Sequence, residues 1–147
     1  MIHGFIRACA VSPALRVADC AHNTHATIEA MRRAAQNDCQ LAVFPELGLT
    51  GYTCSDLFLQ RPLQEAAERG LREILRASAE LDTVFVVGLP VRVDCKLYNC
   101  AAVVCRGRLL GLVPKTHIPN YGEFYERRHF TPAPEDCRTI TFAGQET

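Results

Sequence analysis

Two charged residues stand directly behind apolar runs that end in proline. Val43-Phe44-Pro45 delivers Glu46, and Leu112-Val113-Pro114 delivers Lys115. A carboxylate can accept a proton, and a fixed ammonium can offset negative charge. If strands carry both to one sheet edge, their charged groups should lie within about 4–6 Å, close enough to shift each other's pKa. On spacing alone the plainer alternative is a rim salt bridge between two strand ends, since exposed Glu and Lys are common and such pairs contribute little. The eight cysteines are a second source of reactive groups. No Cys-x-x-Cys pair occurs, and Cys95, Cys100 and Cys105 recur at an odd step that alternates faces on a strand, so they do not converge on a zinc ion. A disulfide framework does not suit a chain that is neither small nor loop-rich. Most of these thiols read as small buried apolar residues in a reducing cell.

The elements that must position the pair follow from periodicity. Residues 5–11 read as a buried strand. Residues 23–36 read as a helix with Asn23 as N-cap and Ile28, Met31 and Ala35 at helical spacing. Residues 41–44 form a short strand ended by Pro45. Ser55-Asp56 starts a helical turn. Arg61-Pro62 opens a longer helix whose face carries Leu63, Ala67, Leu71, Ile74 and Leu75. Residues 83–88 are another buried strand. Residues 97–105 and 108–113 are two strands joined at Arg106-Gly107, a hairpin turn signal. Residues 115–134 are irregular, aromatic and charged, and residues 138–142 alternate as a last strand. Helices that cross between strands, followed by adjacent strands, predict an α/β fold with a mixed sheet. In such folds sites gather outside the carboxyl ends of strands.

Bulk properties narrow the function classes. The chain has 147 residues, 48% hydrophobic and 22% charged, with sixteen basic and sixteen acidic residues. The formal charge of zero gives no electrostatic case for nucleic acid. The longest apolar stretch, 84–90, is far shorter than the roughly 20 residues that span a bilayer. Residues 1–11 lack the pattern of a secretory signal, which points to the cytoplasm.

Phe44-Pro45-Glu46-Leu47 with Gly51-Tyr52 resembles the first motif of the nitrilase, or carbon–nitrogen hydrolase, superfamily. Pro114-Lys115 with Pro119, Glu126, Arg127 and Phe130 resembles its second. The segments at 50–58 (TGYTCSDLF) and 115–130 (KTHIPNYGEFYERRHF) are most similar to the glutaminase domain of glutamine-dependent NAD synthetases. The likeness runs over nearly the whole chain, in matching order. It implies a nitrilase-like α-β-β-α sandwich and a triad of glutamate, lysine and cysteine. By that resemblance Glu46 is the general base and Lys115 the cation beside the reacting carbonyl. Glu126 is the second glutamate near the triad, with Glu123 its competitor. Tyr121, Tyr52 and Phe124 line the substrate pocket, while His117 and His129 are structural. No metal is implied. A thiol attacks poorly until a base takes its proton, and a fixed cation stabilises the oxyanion that attack creates.

The family's catalytic cysteine belongs to a third motif, and none of the eight cysteines stands in a matching context. Cys137 precedes a strand, and Cys54 lies in the first motif at a place where the family tolerates a non-catalytic thiol. Sandwich domains often run to about 200–250 residues. Residues 1–147 therefore read as a partial, truncated hydrolase domain, inactive alone, with the rest of the domain and an ATP-dependent synthetase domain absent. The implied partners are glutamine, the synthetase domain of the same chain and further copies in a homo-oligomer, with no nucleic acid and no membrane. ATP and magnesium belong to the absent domain; this one implies no cofactor. The alternatives are a stand-alone nitrilase-type amidase or carbamoylase, a non-catalytic protein of the same fold, and a thiol–metal protein.

Overall fold

The computed structural model describes residues 4–147. It contains a five-stranded mixed sheet built from β1 (Ala8–Ala10), β2 (Leu41–Val43), β3 (Val84–Val93), β4 (Lys96–Cys105) and β5 (Arg108–Pro114), in that spatial order. β1, β2 and β3 pair in parallel, and β4 and β5 return antiparallel. Parallel neighbours need crossovers, supplied by α1 (Cys20–Gln36) and α2 (Arg61–Ala77). Such crossovers are almost always right-handed, so a steady advance from β1 to β3 places both helices on one face. There they meet: Gly70 of α2 rests on Thr24 of α1, where a methyl group would run into the threonine hydroxyl.

The core lies between the helices and one face of the sheet. Ala42, Phe85, Val87, Leu89, Ala102 and Val104 are buried against Met31, Ala34, Leu71, Ile74 and Leu75. The alternate residues point away from the helices. Of these, Val84, Val86, Ala101 and Val103 are half-buried, and Val43 and Val113 are exposed. The unbroken apolar run of β3 is what a strand covered on both faces carries. Here the second face is covered only in part: Gly88 and Pro90 are buried, Val84 and Val86 half-buried.

The expected elements are present with shifted limits. β1 is shorter than residues 5–11 and is not buried; as an edge strand it pairs only with β2, and Phe5 and Ile6 are exposed. The first helix starts at Cys20, because Asp19 caps it by accepting from His22 N at 3.0 Å. Asn23 is therefore not the cap. It lies fully buried inside the helix, accepts from Arg16 N, and donates to Arg16 O and Leu49 O. The apolar stripe of α2 is buried at all five expected positions. The β4–β5 turn falls at Arg106 and Gly107, with φ of 48° and 75°. In place of one strand at 138–142, a short hairpin joins β6 (Thr141–Phe142) to β7 (Gln145–Glu146) through Ala143 and Gly144, both at positive φ. Gln145 stitches this hairpin to β5, accepting from Leu109 N and donating to Gly107 O. Among the described residues no helix is long and apolar enough to cross a membrane.

Candidate active site

β2, β3 and β5 run in one direction, so their carboxyl ends share an edge, and the site is there. β2 ends in a tight elbow. Gly48 N and Leu49 N donate to Pro45 O and Gly88 O, both at 3.1 Å, and Leu47, between them, holds a φ of 51°. A bulky side chain pays for that left-handed conformation by full burial of Leu47. The elbow presses so closely on β3 that a Cβ on Gly88 would lie 2.5 Å from both Leu47 N and Pro45 O. Only glycine fits beneath it. The elbow carries Glu46.

β5 delivers Lys115, whose backbone N donates to Asn99 O at 2.8 Å. Its Nζ donates to Glu46 Oε1 at 2.7 Å and to both Glu126 oxygens at 3.0 Å. The charged groups of Glu46 and Lys115 thus meet at the rim. Burial is the largest single influence on Lys115 and lowers its pKa. The hydrogen bonds and charges of Glu46 and Glu126 together outweigh it and leave the ammonium above its usual range. Lys115 is a cation here and not a base.

Glu126 comes from the irregular segment, which is firmly pinned. A single 3-10 turn (Glu126–Arg128) is held by Arg128, which makes a two-pronged ion pair to Asp56 at 2.6 and 2.8 Å. His129 Nε2 reaches the same carboxylate at 3.1 Å, and its buried ring sits beside Phe58 and Phe130. Arg128 and His129 hold the Asp56 carboxyl well below the usual range. Further along, Thr131 N and Ala133 N bond to Leu97 O and Lys115 O. Of the two competing glutamates, Glu126 is the one on Lys115; Glu123 is exposed.

Tyr52 OH donates to Glu126 Oε1 at 2.6 Å. Burial, then the hydrogen bond to Glu126 and its charge, push the phenol above its ordinary pKa, so it stays a donor. Beside this pair lies a cavity of about 270 Å³ lined by Tyr52, Phe58, Glu123, Phe124, Glu126 and His129, among others. Tyr121 does not line it; it is 72% exposed, with its ring edge-on to Phe124 at 5.7 Å. His117 is exposed.

Asn99 escaped sequence reasoning. It is buried in β4, and its Nδ2 donates to Glu46 Oε1 at 2.5 Å and faces Glu126 Oε2 at 3.5 Å. The available signal was an amide inside an otherwise apolar strand, since a buried amide must find partners. Gly88 was missed too, because only the folded elbow shows what lies above it.

All eight cysteines are free. Burial raises the pKa of Cys9, Cys20, Cys54 and Cys100, with Cys20 at about 11 and Cys100 at about 12. Cys54 spends its thiol on Thr50 O at 3.1 Å. Among the described residues no cysteine hydrogen-bonds Glu46, and no group of three His, Cys, Asp or Glu side chains is placed to hold a metal.

Lys115 thus lies between an exposed carboxylate and a saturated one, beside an aromatic cavity. A glutamine-dependent NAD(+) synthetase of Mycobacterium bovis is 40% identical over 144 residues, which is 98% of this chain and 21% of that protein. The crystal structure of a glutamine-dependent NAD(+) synthetase from Cytophaga hutchinsonii superposes with a TM-score of 0.84 at 32% identity, over 93% of this chain and 23% of that one. An amidase from Nesterenkonia sp. superposes with a TM-score of 0.71 at 25% identity, over 96% of this chain and 53% of that one. The chain thus spans about a fifth of the length of the synthetases it matches. The family profile described as carbon-nitrogen hydrolase matches residues 6–146, and the chain belongs to that family.

Proposed function

We propose that residues 1–147 form the N-terminal part of the glutaminase domain of a glutamine-dependent NAD synthetase. The observation that carries this reading is Lys115 held between Glu46 and Glu126 beside the aromatic cavity. The nucleophile is a cysteine beyond Thr147. Glu46 takes its proton, and the thiolate attacks the side-chain amide of glutamine. Charge develops on the carbonyl oxygen as Glu46 becomes neutral. Its hold on Lys115 then weakens, and the ammonium turns to the oxyanion. The protonated Glu46 gives its proton to the amide nitrogen as the C–N bond breaks, so ammonia leaves and a thioester remains. Glu46 next draws a proton from water; the oxygen attacks the thioester carbon, the C–S bond breaks, and Glu46 returns the proton to the sulfur, which releases glutamate and the thiol.

Tyr52 and Phe124 line the glutamine pocket, and Tyr121 stands outside it, edge-on to Phe124. Residues 1–147 alone do not hydrolyse glutamine, for want of the nucleophile. The synthetase domain of the same cytoplasmic, homo-oligomeric protein uses the ammonia, with ATP and magnesium, to amidate deamido-NAD. The hydrolase domain needs no cofactor.

The test is Lys115→Met in the full-length protein. Glutamine-dependent NAD formation should fall about 100- to 1,000-fold, the usual cost of a lost oxyanion donor. Formation from an ammonium salt should persist. Equal losses would assign Lys115 to folding or domain docking; normal activity with glutamine would remove it from the site.

A further inference from the structure

The two oxygens of Glu46 have different surroundings. Oε1 accepts from Lys115 Nζ at 2.7 Å and from Asn99 Nδ2 at 2.5 Å, whereas among the described residues Oε2 accepts from neither and has no other hydrogen bond. The Glu46 side chain is 44% exposed, so the unengaged oxygen is open to an incoming group. Lysine alone does not impose this choice: an ammonium on a flexible four-carbon stem can follow either oxygen. Asn99 can impose it. It lies in the middle of paired β4, is 4% exposed, and has its own carbonyl tied to Lys115 N. Its amide therefore holds one position.

We infer that Asn99 is a positioning residue that fixes the Glu46 carboxylate by its Oε1 and so makes Oε2 the oxygen that exchanges protons. The inference rests on the glutaminase reading. The S–H bond of the nucleophile breaks, its electron pair stays on sulfur, and the proton goes to Oε2. The same O–H later protonates the amide nitrogen as the C–N bond breaks. Two donors on Oε1 also concentrate negative charge there, which keeps that oxygen engaged while Oε2 works. Without Asn99 the carboxylate can rotate about its last torsion, a broad and soft one, and either oxygen can turn to Lys115.

The experiment compares Asn99→Leu, which has no donor, with Asn99→Ser, which keeps a shorter one, in the full-length protein. Asn99→Leu should lower kcat for glutamine hydrolysis by about a hundredfold, the scale of a small misplacement at a reacting centre, with KM nearly unchanged. Asn99→Ser should recover part of the loss, and ammonium-dependent NAD formation should survive in each variant. A rise in KM with kcat unchanged, an Asn99→Ser no better than Asn99→Leu, or equal loss of glutamine- and ammonium-dependent activity, would overturn the inference. If Asn99→Leu does not fold, the kcat-against-KM split of Asn99→Ser decides alone. Glu46→Gln separates the two levels: if it keeps glutamine-dependent activity, the glutaminase reading itself fails.

Discussion

Glu46 and Glu126 bind the same ammonium, yet the chain holds them by opposite means. Glu46 stands on a backbone elbow, where a left-handed Leu47 and the close approach to Gly88 leave the main chain no freedom. Its side chain is 44% exposed. Glu126 stands on an irregular segment pinned by side chains, the Asp56 bonds to Arg128 and His129 above all, and its own side chain is 7% exposed. Tyr52, Lys115 and Asn99 occupy both Glu126 oxygens. A group that exchanges protons must be reachable and must keep an oxygen free. A group that anchors charge is better saturated. Rigid backbone suits the first because it fixes the residue without covering it; polar pins suit the second because every bond they make also buries it.

The sharpest way to break this contrast is to disturb the elbow. In Gly88→Ala the new methyl would meet two backbone atoms, Pro45 O and Leu47 N, which cannot swing aside as a side chain would. Glu46 must move. The expected result in the full-length protein is a loss of glutamine-dependent activity of about a hundredfold, with ammonium-dependent activity retained. Unchanged glutamine hydrolysis would show that the elbow tolerates the shift and does not set the geometry of Glu46.

Glu126→Gln should cost less. The amide keeps the size of the side chain and can still accept from Tyr52, so the pocket stays formed. What disappears is one of the two negative charges that raise the pKa of Lys115. Burial then weighs more heavily, so the ammonium loses its proton at lower pH. The basic limb of the pH–rate profile should shift downward, with a smaller fall in kcat at neutral pH than Gly88→Ala causes. A basic limb that stays in place would mean that Glu46 alone keeps Lys115 charged.

The two carboxylates also differed in how openly the sequence carried them. Glu46 and Lys115 were legible because each follows an apolar run ended by proline, a local signal that places a charge at a sheet rim. Glu126 was preferred to Glu123 only through family resemblance, since nothing in EFYERR says which acid turns inward. Tertiary pins decide that, and Asp56 lies far away along the chain. Asn99 was hidden for the same reason: its partners are distant in sequence, and one amide does not disturb an apolar strand pattern. The first helix teaches the converse. Asp19 and Asn23 are equally good caps by type, and the choice fell to Asp19 because Asn23 was needed between Arg16 and Leu49, behind the Glu46 elbow. Likewise the apolar residues 5–11 predicted burial, but only pairing and layer contacts confer it, and β1 has one neighbour.

The smallest expected effect lies at the polar pins themselves. Asp56 is exposed, and exposed ion pairs contribute little to global stability. Asp56→Asn should therefore leave the melting temperature nearly unchanged. Its consequence is local. Arg128 loses one prong of its pair, and both Arg128 and His129 lose the carboxylate charge, so the turn that carries Glu126 should open more often. Hydrogen exchange at residues 126–131 should accelerate, while exchange in β3 and β4 stays constant. The pH dependence has a definite sign. Arg128 first, then His129, depresses the pKa of Asp56. A depressed carboxyl contributes its stabilisation above its unfolded pKa of about 3.9 and loses it as pH falls through the folded value. The unmodified segment should thus lose protection as pH falls below about 4, and the Asp56→Asn segment should show no such loss beyond that of its neighbours. Equal exchange in both proteins across that range would mean that the aromatic contacts of His129 with Phe58 and Phe130 suffice, and that Glu126 is held by packing and not by charge.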